Sequence, residues 1–381
     1  MMAGMFWACL LVVCYVYVGY PLLAMLLARK SRDVSSKSGY TPTVSILIAA
    51  YNEGDEIEAT LRNKLAQIYP IEKIQILVVS DESTDDTDNI VRKVAQNSSV
   101  PIYLSRQVPR AGKTAGLNML VPQADGEIII FSDANSLWDE NALAYLVENF
   151  ADPSVGYVTG KMIYTNVDGT IIGDGCSSFM RFENWLREKE TAIGSIVGVD
   201  GGIDAMRKSL HTRLRADQLP DFVQPLMVVK KGFRVVYDSR ALLKEPALSE
   251  SSSEYRMRVR VSLRALWAIK DMATLLNPFR YKVFSVQLIS HKLLRYLTAI
   301  PLVLTFFSNL FLVSDSGFYS MTMLCQFCFY GLALLGFLHR NGPRLTTLPY
   351  YFVLLNVAAA VAFWRFLKGQ KIVVWQPRVG S

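Results

Sequence analysis

The chain has little of what would give its class away. It has only 5 cysteines in 381 residues, and Cys9, Cys14, Cys325 and Cys328 lie in apolar runs, so no disulfide framework organises it. Cys325-x-x-Cys328 has the spacing of half a metal site, but it lacks a second pair and sits among Met, Leu and Phe, which reads as packing in an apolar phase. No Gly-rich phosphate loop follows the first strand pattern, which argues against dinucleotide binding. The first 28 residues carry no charge; without a basic segment ahead of it, this run is too long for a cleaved signal peptide. It is long enough to cross the hydrocarbon, for which about 20 apolar residues suffice.

What is present points to a membrane. A hydrophobic content of 51% and a mean hydropathy of +0.23 are too apolar for a purely soluble protein, while 19% charged residues are too many for a pure transporter. The net charge of +7 is concentrated beside apolar segments, which suits a membrane surface better than nucleic acid. Arg29, Lys30 and Arg32 follow the first run and place that end in the cytoplasm. Uncharged runs recur at 296–313, 317–338 and 345–364, the first two joined by a Ser-Asp-Ser-Gly loop into an expected hairpin. If the third spanned, the basic tail would end outside. It is therefore expected to be re-entrant or interfacial, with a further span as the alternative. Residues 263–295 mix apolar side chains with Trp267, Lys270, Arg280, Lys282, Lys292 and Arg295, as interfacial amphipathic helices do, and His291 is expected on that surface. The organisation expected is a transmembrane helix over 1–28, a linker over 29–41, a soluble domain over 42–250, interfacial helices over 251–295, a membrane region over 296–364 and a cytoplasmic tail over 365–381.

The soluble stretch opens on Val44-Ser-Ile-Leu-Ile-Ala-Ala50, an uncharged run typical of a strand buried on both faces, and it ends abruptly in Tyr51-Asn-Glu53-Gly. A helical pattern follows (Glu56, Ile57, Leu61, Leu65), closed by Tyr69-Pro70. A second buried strand, Ile74-Gln-Ile-Leu-Val-Val79, then ends in Ser80-Asp81-Glu-Ser-Thr-Asp-Asp86. Strand, helix and strand in this order predict a right-handed βαβ unit with parallel strands. In open α/β sheets ligands sit beyond the carboxyl ends of the strands, where both polar clusters fall. Further along, the pattern predicts a helix over 86–96, strands over 101–104 and 153–163, and a helix over 176–193. Between them Gly126-Glu-Ile-Ile-Ile-Phe-Ser-Asp133 delivers a carboxylate at the tip of another buried strand.

Taken in order, these motifs resemble the catalytic domain of family-2 glycosyltransferases, including the cellulose, chitin, hyaluronan and poly-N-acetylglucosamine synthases. In that family the first strand ends in a Tyr-Asn-Glu-like triplet and the second in an Asp-x-Ser-Thr-Asp-like cluster. Arg110-Ala-Gly-Lys113-Thr-Ala-Gly-Leu-Asn118 resembles its Gly-Lys-x-x-x-Leu-Asn segment. Asp133-Ala-Asn135 stands where the family has an Asp-x-Asp metal motif, with Asn135 in place of the second carboxylate. Gly198-Val-Asp-Gly201-Gly202-Ile-Asp-Ala-Met-Arg207 resembles the acceptor-side loop before a basic helix, read here as flexible, with glycines that let the backbone approach a sugar. Asp221, with Gly232 eleven residues later, reproduces the spacing of the family's catalytic acidic pair, but the first member of the pair is Pro220. Pro220 suits a helix start, where the backbone dipole favours the ionised form that a general base needs. In the Gln-x-x-Arg-Trp frame of processive synthases, Met257 replaces Gln, Arg260 matches Arg and Val261 replaces Trp, which removes an aromatic platform for the acceptor. Trp375-Gln-Pro-Arg378 resembles the family's C-terminal tail.

The resemblance implies a GT-A fold, a Rossmann-like mixed α/β sheet with flanking helices, as a cytoplasmic domain joined to transmembrane and interfacial helices at an inner or plasma membrane. It implies inverting transfer from a nucleotide-sugar donor, most often a UDP-sugar, with Mg2+ or Mn2+, to a lipid-linked or saccharide acceptor. Membrane lipids and glycan-assembly or export proteins are the implied partners, and nucleic acid is not among them. Tyr51, Glu53 and Asp81 would hold the nucleoside, and Lys113 and Arg260 the phosphates. Asp133 with Asn135 would hold the metal, Gly201, Gly202 and Trp267 the acceptor, and Asp221 would act as base. Two alternatives stay open: a processive synthase that also translocates its product, and a catalytically silent membrane scaffold, for which the carboxylates missing at Pro220 and Asn135 argue.

Overall fold

The computed structural model describes residues 1–29, 34, 36–165, 171–245, 251–339 and 344–372. The chain forms two compact units. One comprises Met1–Leu27, Asn166–Phe182 and Ala247–Lys371, the other Ala28–Thr165, Glu183–Pro246 and Ile372–Ser381.

The second unit is built on one mixed sheet. Its strands are β1 (Val44–Ala50), β2 (Ile74–Ser80), β3 (Ile102–Arg106), β4 (Ile128–Asp133), β5 (Leu137–Trp138), β6 (Val155–Tyr164), β7 (Asp204–Arg207) and β8 (Arg234–Glu245). They lie in the order β3-β2-β1-β4-β7-β6-β8-β5. The first four in that order are mutually parallel, β7 runs antiparallel between β4 and β6, β8 runs parallel to β6, and β5 antiparallel to β8. As their uncharged sequences require, β2 is buried throughout and β1 at all positions but one. The polar exception in β1, Ser45, is satisfied: its hydroxyl donates to Gln75 Oε1 at 2.6 Å and accepts from Gly126 N at 2.9 Å. Only glycine fits at 126, where an added Cβ would lie 2.5 Å from the Ser45 backbone nitrogen.

Register decides where the polar tips emerge. Ala50 pairs with Ser80 and Ala49 with Asp133, so β1, β2 and β4 end level, and Tyr51, Asp81 and Asp133 leave the sheet at one edge. The helices Lys113–Leu120 and Pro220–Lys230 cover that half of the sheet; Leu117, Leu120 and Val228 pack with Leu47, Leu77, Phe131, Tyr157 and Met206 in one core. The expected flexible loop over 198–207 is only half right. Residues 204–207 are a central strand followed by a single turn, Lys208–Leu210, and no basic helix. Four residues are too few for alternation to announce a strand, and β7 exists because β4 and β6 offer free edges on either side. β5 and β8 carried no strand expectation either.

The other unit is helical. Three helices among the described residues are long and apolar enough to cross a membrane: Met2–Ala28, Gly317–Leu338 and Leu345–Leu367. The last, expected to be re-entrant or interfacial, is one continuous helix of spanning length. The run 296–313 is not a straight span. Val283–Leu297 and Ala299–Leu312 meet at 55°, because Pro301 cannot donate to the Leu297 carbonyl and the ladder breaks there. The expected hairpin partner is in place: Asn309 meets Thr322 and Gln326 at 3.1 and 3.2 Å. His291 is not on the surface; it is 3% exposed, in the π-helical turn Leu288–Leu293, with its ring 6.0 Å from that of Tyr20. A π turn adds a residue to the helical cycle, so spacing alone assigns the wrong face. The tail motif Trp375–Arg378, with Lys30 and Arg32, lies outside the described residues.

Candidate active site

The loops after β1 and β2 are laced together by their own polar groups. Asn52, held at a φ of 53°, accepts from Thr84 N at 2.8 Å and donates its backbone N–H to Ser83 Oγ at 3.1 Å. Glu53 N donates to Thr87 Oγ1 at 2.9 Å, and Gly54 N to Asp85 Oδ2 at 2.9 Å. Burial works to raise the Asp85 carboxyl, yet hydrogen bonds from Thr87 and Gly54 hold it below its ordinary value. Asp81 is buried and faces the loop before Lys113: it accepts from Ala111 N at 2.9 Å, from Gly112 N at 3.1 Å, from Arg110 Nε at 3.3 Å and from the Gln107 amide. Arg110 in turn lies 3.4 Å from the centre of the Tyr51 ring. A flat ring beside a clustered carboxylate and guanidinium can seat a nucleobase, on Tyr51 or on Arg110.

At the tip of β4, Lys113 Nζ donates to Asp133 Oδ1 at 2.5 Å. Burial works against the ammonium, but Asp133, Asp221 and Asp204 hold Lys113 above the usual lysine range, so it remains a cation. A second lysine lies behind the same tip. Lys64 is 0% exposed, donates to Ser136 O at 2.5 Å and Asn63 Oδ1 at 3.1 Å, and stands 3.8 Å over the Trp138 ring. Burial pushes its ammonium well below the lysine range, against the pull of Asp133. Trp138 carries the linkage on, since its Nε1 donates to Gly202 O at 3.0 Å. The segment 133–138 is thereby tied at one end to Lys113 and at the other to the Gly201–Gly202 turn.

Asp221 is the second residue of the helix Pro220–Lys230, which Pro220 opens as expected. Its Oδ1 is buried without a hydrogen-bond partner. Gly201 presses against it: at a φ of 87°, an added Cβ would fall 2.5 Å from Asp221 Oδ2. Gly201, Gly202, Lys113, Asp133 and Asp221 therefore share one end of this unit. Lys64, Trp138, Arg110 and Asp204 were not anticipated. Lys64 alone had a sequence signal, as a lysine seven residues after Ile57 and three after Leu61, on the stripe that helix Ile57–Leu65 buries.

The family model of Glycosyl transferase family 2 matches residues 45–225. Over 241 residues the chain is 27% identical to poly-beta-1,6-N-acetyl-D-glucosamine synthase of Staphylococcus aureus, which covers 62% of this chain and 56% of that protein. Residues 45–225 thus match a family 2 glycosyl transferase domain. Over 192 residues it is also 28% identical to beta-monoglucosyldiacylglycerol synthase of Trichormus variabilis, covering 50% of this chain and 41% of that one. It thus spans about half the length of the curated relatives it matches. Among solved structures, a mannosyltransferase from Pyrobaculum calidifontis in complex with GDP-Man and Mn2+ aligns with a TM-score of 0.72 at 22% identity, over 96% of this chain and 99% of that one. The likeness shows a shared GT-A fold.

Two expected site residues fall outside the glycosyl transferase domain. Arg260 and Trp267 belong to the helical unit, on helix Ser251–Asp271. Trp267 is engaged there: its Nε1 donates to Gln370 O at 2.8 Å and its ring meets Phe366 edge-on at 4.7 Å. In the same helix Arg258 joins a buried network. It donates to Glu254 Oε1 at 2.7 Å and to Tyr351 Oη at 2.9 Å, and Tyr351 donates to the same Glu254 oxygen at 2.6 Å.

Proposed function

We propose that the domain transfers a sugar, with inversion, from a nucleotide-sugar donor to an acceptor hydroxyl at the cytoplasmic face of an inner or plasma membrane. The observation that carries this reading is the Lys113–Asp133 pair at the tip of β4, set beside Asp221 at a helix N-terminus whose approach Gly201 keeps open. Tyr51, Glu53 and Asp81 would hold the nucleoside, with Arg110 moving with or stacking on the base. Lys113 would meet the diphosphate as a point charge.

A divalent ion fits the donor set in a limited way. The described residues include no group of three Asp, Glu, His or Cys that could hold a metal alone. Asp133 and Asn135 can offer two oxygens, and Mg2+ or Mn2+ ordinarily takes one or two protein oxygens and completes its shell from phosphate and water. When bound, the ion supplies charge neutralisation of the diphosphate. Asp221 would accept the proton of the acceptor hydroxyl as that oxygen bonds to the anomeric carbon and the nucleoside diphosphate leaves with its electron pair. General-base help of this type contributes on the order of 10²–10⁴-fold.

Gly201 and Gly202 would admit the acceptor, lipid-linked or saccharide, and the apolar helices would keep the enzyme among membrane lipids with any glycan-assembly partner. Val261, where processive synthases carry Trp, favours transfer of one sugar or a few. The test is turnover of a panel of nucleotide sugars by the full chain in detergent, with Asp221→Asn beside the wild type. Loss of at least about 100-fold in turnover with UDP affinity retained is expected of a base. Activity above about a tenth of wild type would remove Asp221 from that role, and no turnover of any donor by the wild type would favour the scaffold alternative.

A further inference from the structure

The turn that brings Gly201 against Asp221 is rich in glycine and thinly held. Its sequence, Gly198-Val-Asp-Gly201-Gly202, gives up more backbone freedom on folding than most, so something must fix it. Upstream, the chain is fastened to β8: Arg234 Nε donates to Gly194 O at 2.9 Å, Val235 N to Ser195 Oγ at 3.1 Å, and Ile196 N to Val235 O at 2.9 Å. Downstream, Gly202 O accepts from Trp138 Nε1 at 3.0 Å and Ile203 O from Gly160 N at 2.9 Å. Among the described residues, no backbone hydrogen bond holds 198–201 between these ends.

What holds the turn there is the packing of Val199 on the core and one polar side chain, Asp200. Asp200 Oδ2 accepts from Arg187 Nη1 at 2.5 Å, and the side chains of Arg187 and Asp200 are 5% and 4% exposed. Arg187 stands on helix Ile171–Ile193, in the part that belongs to the sheet unit. That part is braced on the sheet independently: Asn184 Nδ2 donates to Met162 O on β6 at 3.1 Å, and Thr191 Oγ1 accepts from Tyr237 N on β8 at 3.0 Å. Asn184 Oδ1 also accepts from Arg187 Nη1 at 3.2 Å, while Arg187 Nε is buried without a partner. Burial works against the guanidinium, but Asp200 and then Glu183 hold it above the usual arginine range, so it keeps its charge. A buried pair with one nitrogen unsatisfied adds little to stability over two apolar side chains of comparable size. Its distinctive effect is geometric, because it ties the residue next to Gly201 to a helix fixed on β6 and β8.

We propose that Arg187 is a positioning residue that acts through Asp200: the ion pair fixes the Gly201–Gly202 turn against Asp221 and so sets where the acceptor hydroxyl meets the base; this rests on the reading of Asp221 as the base. Neither member of the pair takes part in the chemistry. A displacement of the turn by about 1 Å is enough to cost on the order of 100-fold in rate, with the donor's own contacts untouched.

The test uses the full chain in detergent and the double variant Arg187→Met with Asp200→Leu, which exchanges the pair for apolar side chains and leaves no buried charge behind. The indole N–H of Trp138, which donates to Gly202 O, reports on the turn by NMR once its resonance is assigned through Trp138→Phe. In the double variant this proton should shift and exchange with solvent at least about tenfold faster than in wild type. Should the double variant not fold, Asp200→Asn keeps the size of the side chain and one bond from Arg187, and should show a smaller change of the same kind. A wild-type indole signal in the folded variant overturns the proposal, whatever the donor. With a donor in hand, kcat should fall by about 10–100-fold in the double variant, while UDP affinity by calorimetry and the donor KM stay within about twofold of wild type. A displaced turn with wild-type kcat refutes the positioning role and leaves the transfer reading intact. If Asp221→Asn stays active, the base reading fails, and the proposal with it.

Discussion

Asp204→Asn should stabilise the sheet unit, and only above acid pH. Burial first, then Asp221 and Asp200, lift this carboxyl from an ordinary 3.8 to about 7. Between those values the folded chain keeps a proton that the unfolded chain gives up. Stability from the protonated group is therefore complete below about pH 4, falls as pH rises, and is lost by about pH 7. A difference of about 3 pH units at 1.36 kcal/mol each sets a ceiling of roughly 4 kcal/mol. Asparagine has no such proton to lose. The stability of the variant relative to wild type should thus climb by as much as about 4 kcal/mol from pH 4 to pH 8, which for a unit of this size is on the order of ten degrees in Tm. Thermal unfolding of both proteins in one detergent across that range reads it directly. Any constant offset belongs to the packing of the amide; the slope belongs to the titration. A difference flat from pH 4 to pH 8 would show that Asp204 titrates no differently folded and unfolded.

Gly201→Ala places a Cβ 2.5 Å from Asp221 Oδ2 at a φ of 87°, so it should cost about 1 kcal/mol in stability and on the order of 100-fold in kcat, with UDP affinity unchanged by calorimetry; a kcat within twofold of wild type would separate Gly201 from the base. Asp133→Ala should abolish the Mn2+ dependence of UDP binding, and equal affinity in wild type and variant, with metal and with EDTA, would place the ion elsewhere. Lys64→Met exchanges a fully buried ammonium for an apolar chain, so stability should change by no more than about 2 kcal/mol, while the loosened 133–138 segment should weaken UDP binding several-fold; unchanged UDP affinity would reduce Lys64 to a packing residue.

The catalytic half of the molecule was legible wherever burial leaves a continuous mark. β1, β2 and β4 are runs of apolar residues buried on both faces, and the abrupt polar ends of such runs locate Tyr51, Asp81 and Asp133 from the sequence alone. Asp221 was legible for a local reason as well: a proline and an aspartate opening a helix leave the same signature in any fold. Short elements were not legible. β7 is four residues long and β5 two, and both depend on edges supplied by strands far away in the chain. His291 failed for a related reason, because its face is set by a π turn that spacing does not report.

By itself, then, the sequence determined the strands that are continuous buried runs, β1, β2 and β4, the segments apolar enough for lipid, and the polar groups at those strand tips, since these follow from local periodicity and length. Only the tertiary structure decided what those groups meet. It paired Lys113 with Asp133, filled the Asp81 carboxylate with the loop at 107–112, drove Lys64 under Ser136 and Trp138, and left Asp204 unpaired inside the sheet. Each of these depends on register between strands and on helices packed over them. Charge and desolvation act through space, at distances that sequence spacing does not encode.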